Sequence, residues 1–254
     1  MDNLWRRAAR LPQAPAASHV APNSSARQGP DGLGGGLNCG ALGPDFELIL
    51  GGFPRQVPIF PLAEVVLFPG AVLPLHIFEP RYRSMLEDAL DGDRLIAMAL
   101  LKQCDKNEYQ ARPPFHETVC IGQVIHHESL DDGRSNIALL GISAGRAEAV
   151  DADKPYRMAN VELLADATDT GPGSEEKIRR AYAHSAPGGG DLKELRKQLE
   201  EFLAAERIPS ALVNTCAVTA PLFPMDKLEL LTERSLARRL DRLLELLERP
   251  WQWN

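Results

Sequence analysis

The sequence predicts an α+β chain, in which a part built from antiparallel strands is followed by a helical part. Three observations carry this. The apolar run from Val57 to Phe78 is broken by Pro58, Pro61, Pro69 and Pro74, and proline in a helix interior removes a hydrogen bond and clashes with the preceding turn. From there to Asp166, short apolar runs alternate with turn residues and only one helical pattern intervenes. After Asp166 the apolar spacing changes to three and four residues. Antiparallel strands with short turns point to a barrel or sandwich rather than a parallel sheet.

The elements follow in order. Residues 12–44 are rich in Pro, Gly, Ala and Ser, with Gly34-Gly35-Gly36 as the extreme. Such a stretch buries too little side chain to offset its ordering entropy, so residues 1–55 are expected to form a disordered tail. Order is expected from Val57. Leu73, Leu75 and Ile77 alternate with Val72, Pro74, His76 and Phe78, which is strand periodicity. Pro74 places that strand at an edge or bulge, and Phe68-Pro69-Gly70 is the turn before it. Pro80 suits a first helical position, and Tyr82, Met85, Leu86, Ala89 and Leu90 then share a face, up to Asp91-Gly92-Asp93. Leu95 to Leu101 reads as a buried strand. Val119–Ile125 and Asn136–Leu140 are two more, joined by the Asp131-Asp132-Gly133 turn. Residues 148–150 and Met158–Leu164 are weaker strand candidates.

Residues 56–166 are thus the β part and 167–254 the helical part. Ser174, followed by Glu175 and Glu176, can start a helix that Pro187 and Gly188-Gly189-Gly190 break. A second helix starts at Asp191 with Glu194 and carries Leu192, Leu195, Leu199, Phe202 and Leu203. A third opens at Pro209 and buries Leu212 and Cys216. A fourth is capped by Asp226 with Glu229, and its stripe includes Leu236, Leu240, Leu243, Leu244 and Leu247. Trp251 and Trp253 follow, either folded back on the helices or offered to a partner.

Composition narrows the function. The 254 residues are 44% hydrophobic, enough for a core, and carry a formal net charge of -7. An acidic chain repels phosphate backbones unless its basic residues cluster. Its basic groupings, such as Arg6-Arg7 and Arg238-Arg239, are short, so duplex nucleic acid is disfavoured as a partner. Cys39, Cys104, Cys120 and Cys216 form no C-x-x-C pair, which argues against a disulfide framework or zinc ribbon and for reduced thiols in a cytoplasmic protein. No apolar run is long enough to span a bilayer, and Met1–Pro12 lacks the apolar segment of a secretory signal.

The run Val57-Pro-Ile-Phe-Pro-Leu-Ala-Glu-Val-Val-Leu-Phe-Pro-Gly-Ala-Val-Leu-Pro-Leu-His76 resembles the opening of the substrate-binding N-terminal domain of Lon-type proteases. The continuation Ile77–Arg83 is similar to stand-alone bacterial members of that family. Val119–Val124, Ile137–Arg146, Tyr156–Leu163 and Pro209–Leu231 resemble later family segments in the same order, so the resemblance covers roughly Gln56 to Glu248. It implies a PUA-like β-barrel followed by a small helical bundle. It also implies recognition of unfolded or degron-bearing polypeptides, in association with an ATP-dependent protease. The chain departs from the pattern at Ala144, where the family has the first of two arginines, leaving Arg146 alone. It departs again at the glycine run starting at Gly188.

The search for reaction chemistry gives little. No G-x-x-x-x-G-K-[ST] loop occurs, and the chain ends where the ATPase and Ser-Lys protease domains of Lon would begin. No catalytic residue and no cofactor are therefore expected. Gly141-Ile-Ser143-Ala-Gly145 matches G-x-S-x-G, which in a hydrolase sits on a strand-to-helix elbow. Arg146–Val150 reads as another strand, so a hairpin turn is expected there. A serine hydrolase using Ser143, with His184 next in chain order, is one alternative; an RNA-binding PUA-like module is another. His116, Cys120, His126 and His127 are weighed as metal ligands, but adjacent histidines on a strand point to opposite faces, so no metal is expected. Phe60, Phe68 and Phe78 are the candidates for gripping a polypeptide. Glu79, Arg81, Arg83 and Arg146 are charges with either a structural or a ligand-contacting role.

Overall fold

The computed structural model describes residues 56–167, 171, 173–185 and 210–249. The expected tail over residues 1–55, the helix carrying Leu192 to Leu203, and Trp251 and Trp253 lie outside the described residues.

Among the described residues six strands form one sheet: β1 (Gln56–Leu62), β2 (Val72–Ile77), β3 (Leu95–Leu101), β4 (Phe115–Ser129), β5 (Ser135–Val150) and β6 (Arg157–Leu164). Their order is β2-β5-β4-β3-β1-β6, and β5 also pairs with β6. The ladder therefore runs from β5 through β4, β3, β1 and β6 and returns to β5. The exchange happens along β5. Its first half, Ser135–Leu140, lies between β2 and β4, and its second half, Ala144–Val150, pairs with β6. The sheet is mixed rather than wholly antiparallel, because β1 pairs parallel with β3. The chain reaches β3 through β2 and helix α1 (Pro80–Asp91), the long connection that a parallel pair requires.

Prolines fit inside β1 for a topological reason. Gln56–Ile59 pair with β6, whereas Ile59–Leu62 pair with β3. Each half has a ladder on one side only, so a proline whose nitrogen faces the unpaired side costs no ladder bond. Among the described residues β2 pairs only with β5, and Pro74 thus lies on an edge strand there, as its chemistry demands.

Strand alternation sends side chains into two apolar clusters. Val57, Ile59, Leu95, Ala97, Ala99, Val119, Ile121, Ile142, Ala147 and Ala159 pack together from one side of five strands. Phe60, Ile96, Met98, Leu100, Cys120 and Val124 face the other way and meet the helices. β3 is buried on both faces for this reason, and its residues read as an unbroken apolar run.

α1 buries Tyr82, Met85, Leu86 and Ala89, the face its spacing predicts. Short helix α2 (Lys106–Ala111) carries no apolar stripe and escaped sequence reading, although Asp105 and Glu108 form a capping box there. Among the described residues α3 (Ser174–Ser185), α4 (Ser210–Thr219), α5 (Pro224–Thr232) and α6 (Leu236–Leu247) follow. The single helix expected from Asp226 to Leu247 is in fact α5 and α6. Phe223 rather than Asp226 is the N-cap of α5, with Pro224 in the first position, and Ser235 caps α6 by accepting from the Arg238 amide at 3.2 Å. No helix of the described residues is long and apolar enough to cross a membrane.

Candidate functional site

The three phenylalanines separate. Phe60 is buried against the Tyr82 ring at 4.5 Å between centroids, and Phe68 is wholly enclosed in the core. A polypeptide on the surface cannot reach either. Phe78 is 59% exposed beyond the end of β2, with its ring stacked near His76. His76 Nδ1 donates to Asn136 Oδ1 on β5 at 2.9 Å, a surface contact along the strand pair.

The charged candidates form one cluster and two separate contacts. Glu79 Oε2 accepts from Arg81 Nε at 3.1 Å, and Glu79 Oε1 accepts from the Tyr109 hydroxyl at 2.8 Å. The Arg81 guanidinium lies 4.6 Å from the centroids of both Tyr82 and Tyr109, and donates to the Tyr109 carbonyl at 2.5 Å. This cluster fastens α2 to the start of α1. Burial, and then the carboxylate of Glu79, push the Tyr109 hydroxyl pKa up. Arg83 lies over the Gly133 turn, where a Cβ on that glycine would stand 2.4 Å from its guanidinium. Arg146 makes an exposed 3.0 Å pair with Glu117 across β4 and β5.

The G-x-S-x-G string is neither an elbow nor a hairpin turn. It lies within the continuous strand β5, where β5 passes from one set of neighbours to another. Ser143 Oγ donates to the Ala144 carbonyl at 3.0 Å. The glycines have packing reasons. A Cβ at Gly141 would lie 2.2 Å from the Phe68 carbonyl oxygen, and Gly141 exchanges 2.8 Å backbone bonds with Gly70 and Ala71. A Cβ at Gly145 would meet Val161 of β6 at 2.6 Å. The motif is a crossing point of backbones.

A groove that sequence reading missed lies where the sheet meets α5. It encloses about 530 Å³ and is lined by Ala63, Leu100, Leu101, Phe223, Pro224 and Met225, with Lys102, Gln103 and His116 beside them. Phe223 is 69% exposed and Met225 55%. Burial, reinforced by the Lys102 charge, lowers the His116 pKa, which favours the neutral ring in the groove. The available signal was that Phe223 and Met225 flank Pro224 outside the stripe that buries Leu228 and Leu231.

A second missed residue is Arg239. It is 1% exposed, yet sequence reading placed it in a short basic grouping. It donates to both oxygens of Asp166 at 2.6 and 2.9 Å, to Asn214 Oδ1 at 2.8 Å, and to the carbonyls of Leu230 and Glu233. Asn214 in turn donates to the Pro69 carbonyl at 3.0 Å. One side chain thus ties the end of β6, the α5–α6 break, α4 and the loop before β2.

Comparison with known proteins now places this architecture. Residues 56–249 match the model of the ATP-dependent protease La (LON) substrate-binding domain. The chain belongs to that family. It is 26% identical over 199 residues to the Lon protease of Escherichia coli (strain K12), covering 76% of this chain and 24% of that protein. It is 25% identical over 197 residues to Lon protease 1 of Myxococcus xanthus, again with 76% and 24% coverage. The chain therefore spans about a quarter of the length of these relatives. Among solved structures, the Lon N-terminal domain protein from Xanthomonas campestris aligns with a TM-score of 0.55 at 22% identity, covering 75% of this chain and 97% of that one. The N-terminal domain of Mycobacterium avium complex Lon protease aligns at 0.52 and 16% identity, covering 76% and 98%.

Proposed function

We propose that this chain binds unfolded or degron-bearing polypeptide in the groove beside Phe223 and Met225, without catalysing a reaction itself. The observation that carries the reading is that two large apolar side chains stand more than half exposed beside a groove whose lining includes Leu100 and Leu101. Exposed apolar surface of that kind favours a covering partner, and a methionine with an aromatic ring adapts to varied client side chains. Phe78 is a second point of contact, and Glu79, Arg81, Arg83 and Arg146 serve the fold.

In this reading residues 56–166 form a small PUA-like barrel, closed by the return of the ladder to β5, and residues 167–254 pack on it as a helical bundle. The relatives' name suggests that bound chains are passed to an ATP-dependent protease, and buried, unpaired thiols suit a cytoplasmic setting. The test is binding of fluorescently labelled, unfolded casein. Saturable binding at micromolar concentrations is expected, weakened at least about tenfold in Phe223→Ala/Met225→Ala with unchanged melting. No binding at tens of micromolar contradicts the proposal.

A further inference from the structure

We propose that a second, polar pocket beside α1 binds a small oxyanion, a carboxylate or a phosphate group, with Arg157 as its principal donor. The pocket encloses about 100 Å³ between α1, the end of α2 and the connection from β5 to β6. Four cations line it: Arg81, Arg112, Lys154 and Arg157. Three carboxylates answer them. Glu79 pairs with Arg81, Asp151 with Arg112 and Asp88 with Lys154. Arg157 has no carboxylate partner among the described residues, so the pocket holds one positive charge in excess.

A donor in the pocket wall also lacks an acceptor among the described residues. The Nε of Arg157 is buried without a hydrogen-bond partner, and its guanidinium rests 5.5 Å from the centroid of Phe115. Tyr82 is 2% exposed, and its buried hydroxyl lies beside the Tyr109 hydroxyl, so it is no donor to the pocket. The neighbouring Tyr156 hydroxyl is already committed to Asp88. Buried polar groups are ordinarily satisfied, and exceptions ask for an explanation. Burial and the nearby charge of Arg112 lower the Arg157 pKa, with Asp151 opposing them, consistent with a shortage of negative charge. A guanidinium that no carboxylate answers, in the wall of a small pocket lined by three further cations, suits an oxyanion.

The test is calorimetric titration of the full chain with inorganic phosphate and, separately, with acetate, at ionic strength held constant with sodium chloride. Saturable binding of at least one anion is expected, and which one binds assigns the group as phosphate or carboxylate. Arg157→Gln should weaken binding at least about tenfold, the loss of a charge-assisted bidentate donor. Arg112→Gln, at a half-exposed side chain, should weaken it about threefold by removing adjacent charge. Absence of saturable binding by either anion, which leaves water to fill the pocket, overturns the proposal. So does unchanged affinity in folded Arg157→Gln or, should that variant not fold, in Arg112→Gln. No polypeptide enters this titration, so its failure leaves the groove beside Phe223 untouched.

Discussion

Arg239 and Arg157 are both drawn in from solvent, and they differ in what receives them. Arg239 meets a carboxylate, a side-chain amide and two carbonyls. Arg157 meets a phenyl ring and an open pocket. Burying a guanidinium is tolerable only when its charge and donors are answered. Arg239 is answered by the protein itself and so acts as a joint between strands and helices. The acceptors for Arg157 must come from elsewhere. One residue type thus marks a structural joint in one place and a receptive surface in another, and the partners make the distinction.

The sharpest way to break this contrast is to remove each arginine. Arg239→Ala leaves Asp166 and Asn214 unanswered in the interior and should cost about 3–5 kcal/mol in urea unfolding. Arg157→Ala, with no internal partner to strand, should cost about 1 kcal/mol or less in the same measurement. Equal losses would erase the distinction.

Gly141→Ala should come next in size. The new Cβ would press on the Phe68 carbonyl, a backbone atom that cannot swing aside, at a cost of about 1–3 kcal/mol. Ser143→Ala should change stability by only a few tenths of a kcal/mol, because its hydroxyl bonds the adjacent carbonyl. A large Ser143 effect would restore interest in the motif as chemistry.

Acid should loosen the helical side. The bond from Arg242 holds the Glu229 pKa below its ordinary 4.5, and the bond from Arg238 does the same for Glu233. Both folded values lie below the unfolded ones. Their stabilisation is therefore complete well above pH 4.5 and is lost as the pH falls through the folded values. Both pairs are partly exposed, so solvent screening limits each to a few tenths of a kcal/mol. The loss should appear in melting curves below about pH 4.5 and diminish in Glu229→Gln/Glu233→Gln.

Smallest in energy but simple to read is thiol labelling. Burial pushes the Cys216 thiol up to about 12 and the Cys120 thiol higher still, while Cys104 is half-exposed. Of these three, Cys104 should label first by peptide mapping, with Cys120 and Cys216 reacting only as the protein opens.

Much of the strand and helix pattern was legible because it rests on local spacing. The alternation around Leu73 to Ile77 and the stripe from Tyr82 to Ala89 point side chains without knowledge of their partners. The family resemblance in the proline-broken opening was legible too. What was not legible depended on contacts distant in sequence. The parallel β1–β3 pair, the exchange of neighbours along β5 and the bonds from Arg239 to Asp166 join residues that no short window contains. α2 lacked a stripe, and the break between α5 and α6 turned on Ser235 and on the carbonyls of Leu230 and Glu233. The groove was hidden because Leu100, Leu101, Phe223 and Met225 come together only in three dimensions. The burial of Phe60 on β1 and of Phe68 in the loop before β2 was hidden for the same reason: an aromatic looks alike in sequence whether it faces a client or a core.

Site-specific photo-crosslinking tests the groove most directly. A benzoylphenylalanine is placed at position 223, at position 78, or at Asp131 as a control on the β4–β5 turn, and irradiated with an unfolded client. The account predicts strong client adducts from position 223, weaker ones from position 78 and only background from position 131. Adducts from position 223 no stronger than those from the turn would contradict it.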